Sequence, residues 1–292
     1  MKTLLLALIL VLPAAAQDFS GVEIQTTNLG NGIYMLTGAG GNMGLSVGED
    51  GAFLIDDQFA PLSEKILAAI AEFTDQPVTF VLNTHYHGDH TGGNEAMSGA
   101  GAMIVAHDNV RRRMSVTEFN TTFNVEIAAA PEAALPVITF TDEMRFYWNA
   151  DTLHIKHVEA AHTDGDALVV VRGANVIHAG DLYFSDAYPV IDVSAGGEIA
   201  GMIAAADIML ELADDDTRII PGHGPLSTHA DLAAYRAMLA DVHQRIQQMV
   251  SDGLTMEEVI AAKPTADYDA EWGNGFIPPD QFVSIVFLSL AG

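Results

Sequence analysis

Cysteine is absent from this chain of 292 residues. Its absence excludes disulfide bonds, and it also excludes thiolate groups as nucleophiles or metal ligands. Any metal site must therefore be built from imidazole and carboxylate groups. The chain has ample material for one, with eleven histidines and 39 acidic residues.

Basic residues are the second shortage. Only 12 lysines and arginines stand against 39 aspartates and glutamates, which leaves a formal net charge of −27. Nucleic acids and anionic lipid surfaces both need positive charge on the protein, so the composition argues against these partners. We expect a small-molecule substrate instead. The oligomeric state is left open by the sequence.

Long hydrophobic runs are also scarce, and the clearest one lies at the N-terminus. Lys2 precedes an apolar run over residues 4–12, which is followed by Pro13 and three alanines at 14–16. This pattern is typical of a secretory signal peptide. We predict removal of residues 1–16, a mature chain of residues 17–292, a periplasmic or secreted location and no stable membrane insertion after cleavage. The alternative is a retained anchor, although the run is too short to span a bilayer.

Apolar patterns predict alternating strands and helices along the mature chain. Residues 108–135 are expected to be helical or irregular. The predicted helices cover residues 62–73, 202–212 and 231–250. The predicted strands cover residues 32–37, 43–47, 52–55, 78–83, 103–106, 137–140, 153–158, 167–172, 175–179 and 218–220. This order favours an α/β fold in which helices cover two sheets within one layered domain.

A hexapeptide at residues 85–90 carries the strongest chemical signal. It reads His-Tyr-His-Gly-Asp-His and follows a predicted strand directly. Four of its side chains are candidate metal ligands: His85, His87, Asp89 and His90. Imidazole and carboxylate groups together suit zinc and related divalent ions. This many ligands at one strand end can hold two ions if distant residues complete the two shells.

Three further candidates follow predicted strands later in the chain. They are His162, Asp181 and His223. Loops at strand ends commonly carry chemistry on a rigid scaffold. We therefore expect these side chains to converge on the hexapeptide.

With these residues the sequence resembles the metallo-β-lactamase superfamily of hydrolases, whose His-x-His-x-Asp-His motif is matched at every fixed position. The resemblance implies an αββα sandwich, formed as a single domain over residues 17–292 with a C-terminal helical extension. It implies two Zn²⁺ ions, or another divalent metal, held by seven ligands. One ion would take His85, His87 and His162, the other would take Asp89, His90 and His223, and Asp181 would bridge the two ions.

The resemblance also implies hydrolysis by a metal-bound hydroxide, with Asp89 as the catalytic residue that orients it. The ions would polarise the scissile carbonyl. Dinuclear lactamases of the family usually have Cys or Ser where this chain has Asp181, and those of the Cys type have Lys where Phe184 stands. Family lactonases tend to have Tyr at that place, and Tyr183 is one residue away. The basic C-terminal residues of glyoxalase II have no evident counterpart.

The expected function is therefore an exported zinc hydrolase that cleaves a cyclic amide or ester, with β-lactam hydrolysis included. The alternative is a lactonase or a glyoxalase II-like thioesterase. Two further functions remain as alternatives: an iron-dependent redox member of the superfamily, and a metal-binding module without turnover. His87 argues against the flavodiiron type, and the complete second ligand group argues against a persulfide dioxygenase.

Several other features have two interpretations. Either Asp56 or Asp57 forms a hydrogen bond to one of the metal ligands, or the carboxylate lies at the start of a helix. The arginines at 111–113 form either a solvated helix face or a substrate anchor. The glycine-rich residues 38–42 form either a mobile flap or a plain hairpin connection. We expect no ligand role for the remaining histidines, which are His107, His154, His157, His178, His229 and His243.

Overall fold

The computed structural model describes residues 18–122 and 124–291 of the chain. The predicted signal peptide, residues 1–16, lies outside the described residues. Fourteen strands are present in that part of the chain: β1 (Gln25–Gly30), β2 (Ile33–Thr37), β3 (Met43–Gly48), β4 (Gly51–Ile55), β5 (Val78–Leu82), β6 (Met103–His107), β7 (Glu118–Asn120), β8 (Val125–Ile127), β9 (Ile138–Phe140), β10 (Glu143–Trp148), β11 (Asp151–His157), β12 (Ala167–Val171), β13 (Val176–Phe184) and β14 (Arg218–His223).

The α-helices of the same residues are α1 (Ser63–Ala71), α2 (Gly88–Thr91), α3 (Asn94–Gly99), α4 (Asp108–Met114), α5 (Ile199–Leu212), α6 (His229–Ser251), α7 (Met256–Ala262), α8 (Asp269–Trp272) and α9 (Pro279–Ala291). Helix α6 begins at a capping box in which Thr228 and Asp231 satisfy each other's backbone N–H groups. None of the helices in the described ranges is long and apolar enough to cross a membrane.

The strands form two mixed sheets and one separate hairpin. The larger sheet has the order β1-β2-β3-β4-β5-β6-β9, and the smaller one has the order β10-β11-β12-β13-β14. Strands β7 and β8 pair only with each other. Among the described residues four strand pairs are parallel, β4–β5, β5–β6, β6–β9 and β13–β14, and three of these pairs include a strand that leads into or contains candidate ligands.

Each sheet is buried on both faces, because one face packs against the other sheet and the opposite face packs against helices. In β12, Leu168 and Val170 pack towards the outer helices, whereas Val169 and Val171 pack towards the other sheet. Successive side chains of a strand point to opposite faces, so an uninterrupted apolar run serves two cores at once. Each such Val or Leu contributes roughly 1.5–3 kcal/mol on burial.

Helices complete the sandwich on both outer faces. Helices α1 and α3 pack through Ile66 and Met97 against the larger sheet. Helices α5, α6 and α9 pack against the smaller one through Met202, Leu232 and Phe282. The αββα arrangement expected from the sequence is confirmed, and all these layers belong to one α/β region.

Some elements differ from the prediction. Residues 108–135, expected to be helical or irregular, contain α4 and also the hairpin β7–β8. Strands of three residues are too short to show a periodic pattern. Edge strands β1 and β10 were also not predicted. Strand β1 is almost entirely exposed and polar, as sheet edges often are, whereas β10 alternates between exposed and half-buried residues and was overlooked.

Two predicted strands are longer than expected. Strand β13 continues to Phe184 and β14 continues to His223, so Asp181 and His223 lie within strands rather than in loops after them. The expectation of loop positions was wrong because pairing between β13 and β14 resumes after a register shift at Gly180. Gly180 has φ +51°, and a Cβ atom there would lie 2.7 Å from Thr84. Glycine therefore lets β13 pass directly beside the hexapeptide.

Candidate metal centre

The seven candidate ligands come from one edge of both sheets. The hexapeptide follows β5 and runs into α2, His162 lies in the connection between β11 and β12, and Asp181 and His223 lie on neighbouring strands of the smaller sheet. The structure brings all seven together in two groups. We call His85, His87, His162 and Asp181 the first ligand set, and Asp89, His90 and His223 the second ligand set.

The first ligand set is almost completely buried. His87 Nδ1 lies 2.8 Å from His162 Nε2. Asp181 Oδ2 lies 3.4 Å from His162 Nε2 and 3.7 Å from His85 Nε2. These atoms surround one small space with three imidazole nitrogens and one carboxylate oxygen.

The second ligand set opens towards solvent. His223 Nε2 lies 3.3 Å from Asp89 Oδ2 and 3.4 Å from His90 Nε2. The other oxygen of Asp181, Oδ1, lies 3.1 Å from His90 Nε2 and 3.5 Å from His223 Nε2. Asp181 therefore turns one oxygen to each ligand set, as a bridging carboxylate would.

In three of the histidines, the ring nitrogen that faces away from the cluster contacts a carbonyl or carboxylate oxygen. His162 Nδ1 donates to the carbonyl oxygen of Val190 at 2.8 Å. His90 Nδ1 contacts Asp56 Oδ2 at 2.8 Å, and His87 Nε2 contacts Asp192 Oδ2 at 3.0 Å. Such partners set the tautomer and orientation of metal-binding imidazoles. Each ring is left with its other nitrogen directed into the cluster.

The inward-facing atoms fit a cation. His87 Nδ1 and His162 Nε2 both present lone pairs when their outer nitrogens donate, and two acceptors at 2.8 Å repel unless a proton or cation lies between them. His85 Nε2 and Asp181 Oδ1 are buried without a hydrogen bond of acceptable geometry. The donor set of imidazole nitrogens and carboxylate oxygens suits Zn²⁺ and other divalent metals.

Burial and charge divide the histidines into two electrostatic classes. Burial lowers the pKa of His85 well below its ordinary value, and it lowers the pKa of His162 to about 4. Burial acts in the same direction on His90 and His223, but nearby carboxylates led by Asp181 outweigh it. The pKa of His90 is raised, and that of His223 is raised to about 10. The second ligand set therefore holds protons that a metal ion would have to displace.

Asp56 supports the cluster from the larger sheet. Its carboxylate accepts hydrogen bonds from the backbone N–H and the hydroxyl of Thr84, at 2.7 and 2.8 Å, in addition to its contact with His90. Asp57 accepts instead from the backbone N–H of Gly93, in the turn after the hexapeptide. Asp57 contacts His90 only through its backbone N–H, which donates to the His90 carbonyl, so Asp56 is the candidate whose carboxylate contacts a ligand ring.

Asp192 was missed by the sequence analysis. It is fully buried, contacts His87 and lies beside a 3-10 turn at Val193–Ala195. Burial acts to raise its pKa, but hydrogen bonds led by that from His87 outweigh burial and lower the pKa. No motif surrounds it, and 105 residues separate it from His87. A single sequence contains no signal from which this contact could be found.

The glycine-rich residues 38–42 are held in place at several points, which favours a fixed connection over a mobile flap. Gln58 accepts from the N–H groups of Ala39 and Gly40, both at 3.1 Å, and donates to the carbonyl of Gly41 at 2.6 Å. The N–H of Gly41 donates to the Asp89 carbonyl. Gly41 also packs so closely on the His90 ring that a Cβ atom would overlap it.

Gly41→Ala is therefore expected to damage the second ligand set. The added methyl group must displace either His90 or the connection, at a cost of about 1–3 kcal/mol in the free energy of unfolding. Metal analysis should show a lower metal content, and thermal unfolding should show a lower Tm. Gly99→Ala is the matched control, since its Cβ would meet nothing within 4 Å. Equal metal content in both variants would contradict the packing argument.

The three arginines of α4 have protein acceptors. Arg112 and Arg113 both bind Asp164, Arg113 also binds Glu118, and Arg111 donates to the carbonyl of Pro136. Arg111 and Arg112 are exposed, as a solvated helix face would be, whereas Arg113 is half-buried. These contacts give the cluster a structural role and do not favour a substrate anchor.

The remaining histidines lie outside both ligand sets. His178 is the nearest by sequence to Asp181. Its Nε2 donates to the carbonyl of Asn42 at 3.1 Å, and its Nδ1 accepts from the N–H of Gly180 at 3.2 Å. Both ring nitrogens are thus engaged with backbone groups and not with the cluster.

Comparison with known proteins agrees with this geometry. A family model described as "Metallo-beta-lactamase superfamily" matches residues 36–223, which contain all seven candidate ligands. The chain belongs to the metallo-β-lactamase superfamily. The two ligand sets are candidate metal-binding sites within the matched region. Residues 224–291, with helices α6–α9, lie beyond the matched region.

Among curated proteins, the chain is similar to a hydroxyacylglutathione hydrolase of Polaromonas sp. The two are 28% identical over 191 residues, which is 62% of this chain and 65% of that protein. The match thus spans less than two thirds of the relative.

Solved structures show the same fold at low sequence identity. A metallo-β-lactamase from Pontibacter korlensis superposes with a TM-score of 0.61 at 19% identity, covering 75% of this chain and 100% of its own. The sec-alkylsulfatase Pisa1 from Pseudomonas sp. superposes with a TM-score of 0.69 at 17% identity, covering 90% of this chain and 50% of its own. These likenesses concern the fold alone.

Proposed function

We propose that this protein is a dinuclear zinc hydrolase that cleaves a cyclic amide or ester. The observation that carries the proposal is the position of Asp181, which turns Oδ2 to the first ligand set and Oδ1 to the second. A shared carboxylate is the arrangement expected of two ions held side by side. Bound Zn²⁺ ions would supply an acidified water and a Lewis acid for the substrate carbonyl.

The protein's own groups have distinct roles in this proposal. The Asp89 side chain is 26% exposed, whereas that of Asp181 is 6% exposed, so Asp89 is the carboxylate that solvent and substrate can reach. Burial acts to raise the pKa of Asp89, but His90 and His223 outweigh burial and lower it, so the group is ionised at neutral pH. Asp89 is thus suited to accept a hydrogen bond from the attacking water and to orient it.

An aromatic side chain lies between the two sets. The Phe184 ring stacks on His223 with ring centroids 5.2 Å apart, and its centroid lies 6.2 Å from that of His162. Phe184 is 4% exposed and belongs to the core under the smaller sheet, so it holds the His223 ring in place. The net charge of −27 favours uncharged substrates, since it repels anions at long range.

A thioesterase is the second candidate. The similarity to hydroxyacylglutathione hydrolase supports it. A glutathione thioester is anionic, so the acidic surface would slow its encounter with the enzyme. Rates that rise with ionic strength for this substrate, but not for a neutral lactone, would be the signature of that repulsion.

A hydrolysis panel on zinc-loaded protein tests the proposal. It should contain a chromogenic cephalosporin, a carbapenem, a homoserine lactone and a glutathione thioester. Turnover of a lactam or lactone above the thioester supports the main proposal, and the reverse order supports the thioesterase. Two zinc ions per chain by metal analysis are expected, whereas iron as the resident metal would overturn the zinc assignment.

We further propose that the protein acts in the periplasm or outside the cell, on the strength of the signal-peptide pattern over residues 1–16. Mass spectrometry of the exported protein should then find Gln17 as its first residue. A mature chain that retains Met1 would contradict export by cleavage.

A further inference from the structure

We propose that Asp192 is a positioning residue that selects the ring nitrogen with which His87 faces the first ligand set, and that the hairpin β7–β8 holds Asp192 in this role. The inference concerns the same site and rests on the proposed function for its catalytic meaning. Its structural basis is independent of the substrate and of the identity of the metal.

The Asp192 carboxylate is a fully buried acceptor. Its Oδ2 accepts from His87 Nε2 at 3.0 Å, from the hydroxyl of Tyr86 at 2.8 Å and from Asn120 Nδ2 at 2.6 Å. Its Oδ1 accepts from Thr122 Oγ1 at 2.9 Å and from two groups of the 3-10 turn, the Ser194 hydroxyl at 2.6 Å and the Ala195 N–H at 3.2 Å. Six donors surround a group that has no donor of its own when ionised.

This arrangement decides the tautomer of His87. A carboxylate oxygen that already accepts from Tyr86 and Asn120 can pair with His87 Nε2 only if that nitrogen carries the proton. The ring then presents the Nδ1 lone pair to the cluster, where His162 Nε2 lies 2.8 Å away. The opposite tautomer would place a lone pair against the carboxylate and a proton at the ligand position.

Asp192 also forms hydrogen bonds to two members of the first ligand set, His87 and His162. Its side chain holds the ring of His87, and its backbone N–H donates to the carbonyl oxygen of His162 at 2.9 Å. A shift of Asp192 would therefore move two of the three imidazoles of this set. Neither connection involves the second ligand set.

The hairpin β7–β8 supplies two of the six donors, Asn120 and Thr122. Its strands pair with neither of the two sheets, and a hairpin alone is at best marginally stable in water. Glu118, at its base, binds Arg113, whose guanidinium lies 5.5 Å from the centre of the Tyr86 ring. The position of the hairpin and the orientation of His87 therefore depend on each other through Asp192.

The test uses full-length, metal-free protein labelled with ¹⁵N. Long-range imidazole ¹⁵N spectra identify which ring nitrogen of His87 carries the proton, with the His87 signals assigned by comparison with His87→Gln. We expect Nε2 of His87 to carry a proton in the unaltered protein, whereas a proton at Nδ1 would be shared with His162 Nε2. In Asp192→Ala no acceptor faces His87 Nε2, so we expect loss of the preference for a proton at Nε2 and affinity for one zinc equivalent lowered about 10–100-fold. Unchanged spectra and affinity would overturn the role of Asp192.

A matched pair tests the hairpin and remains informative if Asp192→Ala fails to fold. Thr122→Val removes one donor to Oδ1 from the hairpin, whereas Ser194→Ala removes one donor to the same oxygen from the 3-10 turn. We expect the larger change in the His87 spectrum from Thr122→Val. Equal changes in both variants would overturn the role of the hairpin. Since the spectra need neither zinc nor turnover, they decide this inference even if the hydrolysis panel contradicts the proposed function.

Discussion

Asp181→Ala is expected to abolish hydrolysis and to reduce metal content to less than one ion per chain. Asp181 is the member common to both ligand sets, and each of its carboxylate oxygens lies within 3.5 Å of an imidazole nitrogen. Its loss removes a ligand from both ions at once and leaves like charges facing each other across the site. We expect kcat to fall by at least about 10³-fold, because the loss of one stabilising contact alone already lowers kcat by about 10²–10³-fold.

Metal analysis and steady-state kinetics should be measured together for this variant. Asp207→Ala is a suitable control, because Asp207 is an acidic residue of α5 that pairs with Arg236 on the surface. Circular dichroism should show that both variants fold, since β13 remains packed through Leu182 and Tyr183. Two bound ions in Asp181→Ala would exclude the bridging role.

His223→Ala and Asp89→Ala form the second large prediction. Both residues belong only to the second ligand set, so one of two metal ions should be lost while the first remains. We expect a fall of about 10²–10³-fold in kcat for each variant, because the remaining site lacks half of the electrostatic stabilisation. Metal stoichiometry by mass spectrometry under native conditions would distinguish one bound ion from two.

The second prediction also has a matched control. His229→Ala removes a histidine at the first position of α6, outside both ligand sets, and should leave metal content and rate unchanged. Full activity in either His223→Ala or Asp89→Ala would refute a dinuclear mechanism. Loss of both ions in these variants would indicate that the two sites bind cooperatively.

Much of the candidate site could be predicted because its ligands are encoded locally. His85, His87, Asp89 and His90 lie within six residues, and their spacing alone marks a metal-binding strand end. The distant members were also predicted from their order along the chain. Which nitrogen of each ring faces the cluster could not be predicted, since this depends on partners such as Val190 and Asp192, far away in sequence.

The extent of the elements was predicted less well than their type. The buried strands and the long helix α6 have strong apolar patterns, whereas β7 and β8 have only three residues each. Strand β13 was predicted to end before Asp181, because a glycine usually interrupts a strand pattern. In the folded chain Gly180 instead permits the close approach of Thr84, and β13 continues past it.

By itself, the sequence determined the superfamily of this protein and the kinds of side chain that could bind a metal. The absence of cysteine limited the ligands to imidazole and carboxylate groups, and the motif with its three distant partners identified the superfamily. The tertiary structure decided how those groups are arranged: Asp181 shared between two sets, His87 turned by Asp192, and residues 38–42 held against His90. These features arise from contacts between segments far apart in the chain, and such contacts form only when the two sheets pack together.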